Sequence, residues 1–319
     1  MEKKLKDLSW KPMWVSHLGC VKGCLDYLKI PVSDAWLFGA TGHAFIINIH
    51  EVVCPSGPTA WNSEMLFKLA NNIGYKVEGV VGFKSDPAFA EKQKLAWETV
   101  RQAIDNSLPC FGWELNLPEY YVVPGYDDTG YFFSGAGGDT GTGQKPWQEL
   151  GATKIGVLEM YRVEPGSAAA DRTTVKEALT FALEHSRSPS NWLFPKYKAG
   201  IAGFDTWIAA LETGKADGFG MAYNAAVWSE CRELAVDFLK EAKDRIGGTV
   251  ATLFDTAIEP YGVVAENLKK ITALFPFHQR KPEHIQDRAR VESALELLRA
   301  ARSAEQSGLA ALEKLQQQL

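Results

Sequence analysis

From His43 to Val53 apolar and polar positions alternate, with Phe45, Ile47 and Ile49 on one face and Asn48 and His50 on the other, the period of a half-buried strand. The run from Glu64 to Ile73 is spaced for a short helix, with Asn62 and Ser63 placed to cap it and Gly74 placed to stop it. Val-rich Lys76 to Phe83 predicts a strand. Asp86-Pro87 then supplies an N-cap and a first-turn proline for a helix reaching about Asn106. Pro109 to Leu115 and Glu119 to Tyr126 are apolar runs joined by Asn116-Leu117-Pro118. The turn Asp127-Asp128-Thr129-Gly130 leads on into Tyr131-Phe132-Phe133, so the stretch reads as an antiparallel meander. A Gly-rich connector between Gly135 and Gly143 separates it from a further strand, Lys154 to Val163.

After about residue 172 the spacing is helical. Thr174-Val175-Lys176-Glu177 has the form of a capping box opening a helix to about Ser186. More helices are expected over 202–213, 223–245, 249–273 and 283–317. In the last, Leu295, Leu298, Leu309, Leu312 and Leu315 form a stripe that suits the core of a bundle better than a seam for a partner. The pattern predicts an α+β chain: a domain over 1–166 with an antiparallel sheet, then an all-helical domain over 167–319, changing near Val163-Glu164-Pro165-Gly166-Ser167.

Composition narrows the function. With 319 residues, 46% of them hydrophobic, the chain can bury a large core. A formal net charge of -5 leaves no basic excess for a phosphate backbone, so nucleic acid is not expected as a partner. The charged start Met1-Glu2-Lys3-Lys4 and the lack of any apolar run near the roughly 20 residues of a membrane helix predict neither a secretory signal nor a span. The expected setting is cytoplasmic. Five cysteines, an odd number, point to free thiols in a reducing compartment.

Three segments carry candidate chemistry. Gly138-Asp139-Thr140-Gly141-Thr142-Gly143 has P-loop-like glycines, but Gln144 intervenes before Lys145 and Pro146 stands where the hydroxyl belongs, so the segment reads as a connector. His17, Cys20, Cys24, His43 and His50 match no compact zinc spacing, and no metal or other cofactor is expected. Gly19 followed by Cys20 would set a thiol at the start of a short helix, where the dipole and unsatisfied amides lower a thiol pKa.

Gly19-Cys20 with Leu25, then Pro31-Val32-Ser33-Asp34-Ala35, Leu37-Phe38-Gly39, Gly42 and Phe45, and later Glu119-Tyr120-Tyr121-Val122-Val123-Pro124-Gly125-Tyr126-Asp127-Asp128, resemble the butirosin-biosynthesis acyltransferase N-terminal domain. That group is similar in fold to papain-like bacteriocin-processing cysteine peptidases. The resemblance covers roughly residues 14–165. It implies a papain-like cysteine-peptidase-type domain with a thiolate at the head of the first helix, a His on a later strand as base, and an Asp or Asn orienting it. Cys20 maps to the first role, and the His position is held by Glu119. Ser134-Gly135 stand near the position of the orienting acid, and with Cys20 at its head the first helix is about one turn shorter than the family's.

The expected catalytic pair is therefore Cys20 and Glu119, with His43 or His17 as a base from another direction. Trp113, Glu114, Tyr120, Trp207, Tyr223 and Asn224 are the expected substrate-binding residues, an aromatic wall with a few polar groups at the junction with the helical half. The resemblance implies a thiol-dependent acyltransferase or amide hydrolase acting on a small or carrier-bound substrate. A non-catalytic protein binding a small molecule or peptide, with Glu119 as a counter-charge to an amine, is the alternative. A structural role through the last helix is a third.

Overall fold

The structure is a computed structural model that describes residues 2–187 and 190–319. It is mixed α/β, with a mostly antiparallel sheet and a helical C-terminal region. The chain forms two compact units, and neither is continuous in sequence. Residues up to Ser33 group with Ile73–Ala168, whereas Asp34–Asn72 group with Ala169–Leu319. A single boundary at 166/167 therefore does not describe it: the segment 34–72 belongs with the helices.

The first unit is a sheet with a helix on each face. Its strands are β1 (Lys3–Lys4), β3 (Tyr75–Phe83), β4 (Cys110–Trp113), β5 (Tyr120–Tyr126), β6 (Gly130–Gly135), β7 (Thr142–Pro146) and β8 (Val157–Pro165). They lie in the order β3-β8-β4-β5-β6-β7, with β1 added to β5. Helix α4 (Phe89–Asp105) covers one face, where Trp97, Val100 and Ile104 pack on Tyr121, Val123, Leu158 and Met160. Because successive strand residues point to opposite faces, Phe111, Trp113, Tyr120, Glu159 and Tyr161 lie on the other face. Helix α1 (Ser16–Tyr27) packs on β5, β4 and β8 there.

Two glycines one turn apart on α1 have a packing reason. A Cβ on Gly19 would stand 2.4 Å from the Lys11 carbonyl oxygen, and one on Gly23 would stand 2.1 Å from that of Ser9. Only glycines let the incoming segment cross the helix this closely. Gly19 is thus an interior residue of α1, and Cys20 is the helix's fifth residue, where the sequence reading had placed its start.

The second unit contains α2 (Asp34–Ala40), β2 (Asn48–His50), α3 (Glu64–Ile73, whose last residue falls in the first unit), α5 (Asp171–Ser186), β9 (Tyr197–Ala199), α6 (Gly200–Glu212), α7 (Gly218–Ile246), α8 (Ala251–Leu274) and α9 (Arg288–Gln318). Helices α7, α8 and α9 pack in series, and the leucine stripe of α9 is buried at Leu295, Leu298, Leu312 and Leu315. Between α7 and α9 lies a fully buried ion pair, Arg232 with Glu305, at 2.8 Å.

That arginine explains the largest departure from the predicted strands. Over His43–Val53 only Asn48–His50 is strand, paired with β9; His43–Phe45 is a 3-10 turn and Val53 has φ 55°. The Arg232 guanidinium donates to the carbonyls of Ala44, Phe45 and Ile46, satisfying groups that a strand would have offered to a neighbour. Three smaller differences follow the same logic. Asp86 accepts from Phe83 N–H and Lys92, so α4 begins only at Phe89. Thr174 donates to the carbonyl of Ala170 inside a helix that already began at Asp171, so no capping box forms. The end of the Gly-rich connector pairs with β6 as the edge strand β7.

Candidate functional site

Ser16, the first residue of α1, carries the centre of the site. Its Oγ donates to Glu119 Oε2 at 2.5 Å and accepts from the backbone N–H of Tyr120 at 3.1 Å. Glu119 immediately precedes β5 and is half-buried, and its bond to Ser16 sets its carboxylate at the first turn of α1, where the helix dipole favours negative charge. The head of α1 thus presents a hydroxyl, and Cys20 lies one turn further in with no solvent exposure. Burial pushes the Cys20 thiol well up, and neighbouring Cys24 and Glu119 push it further. This is the reverse of an activated thiolate.

Several of the predicted binding residues surround this pair. The Trp113 and Tyr120 rings meet edge to face at 5.0 Å. Glu114 N–H donates to the carbonyl of Glu119 at 2.9 Å, and its buried carboxylate accepts from Thr153 Oγ1 at 2.7 Å. Glu114 has φ 55°, a left-handed conformation that costs a residue with a side chain about 1 kcal/mol or more. Beyond Tyr120, its phenol donates to Glu159 Oε2 at 2.5 Å, and Tyr161 donates to the same oxygen at 3.0 Å. Burial raises the Glu159 pKa against the opposing pull of those two phenols. His17 packs its ring against Phe111 at 5.3 Å and Tyr120 at 5.1 Å, and burial holds its pKa near 4. A general base needs a pKa near the working pH, which His17 lacks.

The remaining predicted residues lie in the second unit and have work there. Trp207 is fully buried and donates to Met221 Sδ at 2.9 Å. Asn224 donates to the carbonyls of Cys54 and Gly220 and accepts from Trp228. Tyr223 stacks with Phe219 and meets Phe277 at a tilt. His43 Nδ1 is 3.6 Å from Cys231 Sγ, within rings of Phe38, Trp61 and Trp228, and Cys231 is itself buried with its thiol pushed up. No cluster of metal-ligating side chains occurs among the described residues.

The sequence reading missed Ser16, Glu159, Tyr161 and Thr153. Ser16 had a signal: it precedes Cys20 by four residues, one helical turn, the length by which a helix starting at Cys20 falls short of the family's. Glu159 had one too, as a carboxylate inside the apolar run Val157-Leu158-Glu159-Met160-Tyr161. No family model matches this chain, and no curated protein matches it.

Proposed function

We propose that this chain is a non-catalytic binding protein on a degenerate papain-like, cysteine-peptidase-type scaffold, and that it takes a small molecule or peptide through a primary amine at Glu119. The observation that carries the reading is the Ser16–Glu119 pair at the head of α1. In the resemblance that position calls for a nucleophile and its base. Here a hydroxyl, which needs a strong base to attack, faces a carboxylate whose ordinary pKa of about 4.3 makes it a weak one. The same carboxylate is well suited to an ammonium group, and the rings of Trp113 and Tyr120 beside it offer π faces that attract cations. The buried, up-shifted Cys20 thiol weighs against the thiol-dependent acyltransferase or hydrolase reading. Five free cysteines support a reducing, cytoplasmic setting. Among the described residues no helix is long and apolar enough to cross a membrane.

The test is calorimetric titration of the full chain with a panel of primary amines, including amino-acid amides and short peptides, with the matching alcohols as neutral controls. Amines bind, alcohols do not, and Glu119→Gln weakens binding about tenfold or more, the loss of a charge-assisted contact. Amine binding that survives Glu119→Gln would overturn the assignment of the site. Covalent labelling of Ser16 by a fluorophosphonate would show an activated hydroxyl and restore an acyl-transfer reading.

A further inference from the structure

Strand β3 ends the sheet, and the ladder shows which of its backbone groups face outward. At one end Gly166 N–H donates to the Gly74 carbonyl, and at the other Lys84 N–H donates to the carbonyl of Gly156. Antiparallel ladders alternate, so the even-numbered residues between these points turn to β8 and the odd-numbered ones turn away. At Phe83 the outward groups are closed off by Asp86, whose carboxylate accepts from the Phe83 N–H and whose own N–H donates to the Phe83 carbonyl. Val77, Gly79 and Val81 keep outward N–H and C=O groups with no partner among the described residues. On the face opposite α4, Val81 is 47% and Phe83 53% exposed. An open apolar edge of this kind is a template for another strand.

We infer that this edge is a self-association surface, on which a second copy of the chain pairs its own β3 antiparallel about a two-fold axis at Gly79. The outward pattern is self-complementary. With Gly79 opposite the partner's Gly79, Val77 falls opposite the partner's Val81, and each such pair exchanges both hydrogen bonds. The apposed valines form β-branched cross-strand contacts on one face. A one-residue slip would present the even-numbered groups, which β8 already holds. Charge is compatible with the same arrangement. Lys76 is exposed with no acidic partner among the described residues, and Asp86, already paired with Lys92 at 2.7 Å, stands just beyond the opposite end of the strand. The two-fold brings each Lys76 beside the partner's Asp86, where it would share that carboxylate with Lys92. Backbone pairing alone would accept any extended peptide, but the valine match selects a second copy, and the charges accommodate it. The paired stretch is short, so a weak dimer sensitive to concentration is expected.

Sedimentation velocity on the full chain, from low micromolar to the solubility limit, is expected to show a monomer–dimer equilibrium, with amide exchange over Val77–Val81 slowing as concentration rises. Val77→Pro removes an outward N–H without touching the β8 ladder, a position where an edge strand tolerates proline. It and Val81→Lys should each weaken the dimer about tenfold or more. Circular dichroism identifies any variant that fails to fold, and the exchange readout on the unmodified protein decides in that case. A monomer at every concentration, a dimer without protection of Val77–Val81, or a dimer unchanged in both folded variants would overturn the proposal.

Discussion

At the residue scale the decisive fact is which side chain stands at the head of α1. Burial, more than spacing, sets thiol chemistry here: Cys20, Cys24, Cys110 and Cys231 are buried, and Cys54 alone of the five is partly exposed. Native protein treated with iodoacetamide near neutral pH should therefore carry the label on Cys54, with Cys20 labelled only after denaturation. Peptide mass spectrometry reads this directly, and rapid native labelling of Cys20 would contradict its packing. Of the site, Glu119, Tyr120, Trp113 and Glu114 were legible because they follow one another along a hairpin, where register carries neighbours together. Trp207, Tyr223 and Asn224 are marked by residue type alone, and each packs or bonds within its own unit. Residue type marks a side chain as able to bind; only the register of strands and the face of a helix decide whether it does.

At the element scale α7 and α9 depend on one buried charge pair. Arg232 bonds both carboxylate oxygens of Glu305 and three consecutive carbonyls of the 44–46 segment. Breaking a buried pair from one side typically costs about 3–5 kcal/mol. Arg232→Met is expected to reach that range, because it strands a carboxylate and three carbonyls together. Glu305→Gln keeps the shape and leaves the carbonyls bonded, but it buries a permanently charged guanidinium without its counter-ion, so it is expected in the same range. Urea unfolding of both variants measures the losses, and a loss below about 1 kcal/mol in either would mean that the pair does not hold these elements. This pair also marks the limit of what the sequence makes legible. Strands β3, β5 and β6 and helices α3, α6, α7, α8 and α9 could be read from local periodicity and turn chemistry, because their partners are what their patterns anticipate. The segment 43–53 could not. Its alternation is that of a strand, yet its carbonyls are bonded by a side chain 186 to 188 residues away, a contact that no local pattern encodes.

At the scale of the whole molecule the two units share one vulnerability, since each buries a neutral histidine. Burial holds His17 of the first unit and His185 of the second near pKa 4, against an ordinary value of 6.5. A pKa lowered in the fold means that the unfolded chain takes up the proton first. Stability from these two groups is therefore complete above about pH 6.5 and falls as pH drops towards 4, by on the order of 3 kcal/mol for each histidine. Glu159 acts in the opposite sense: its raised pKa favours the protonated form in the fold, so falling pH relieves part of its burial cost. One carboxyl offsets only a fraction of two histidines. On the alkaline side the four buried thiols, all pushed up by burial, must stay protonated in the fold while the unfolded chain releases their protons, so stability falls again once pH passes the ordinary thiol range. Urea midpoints measured from pH 4 to 10 should thus form a plateau between about 6.5 and 8.5 with a decline on each side. His185 sits among the rings of Trp61 and Phe181 and has no hydrogen-bond partner among the described residues, so His185→Leu should flatten the acid decline of the second unit while leaving that of the first. An acid limb unchanged by that substitution would mean that the buried His185 ring contributes nothing to acid sensitivity.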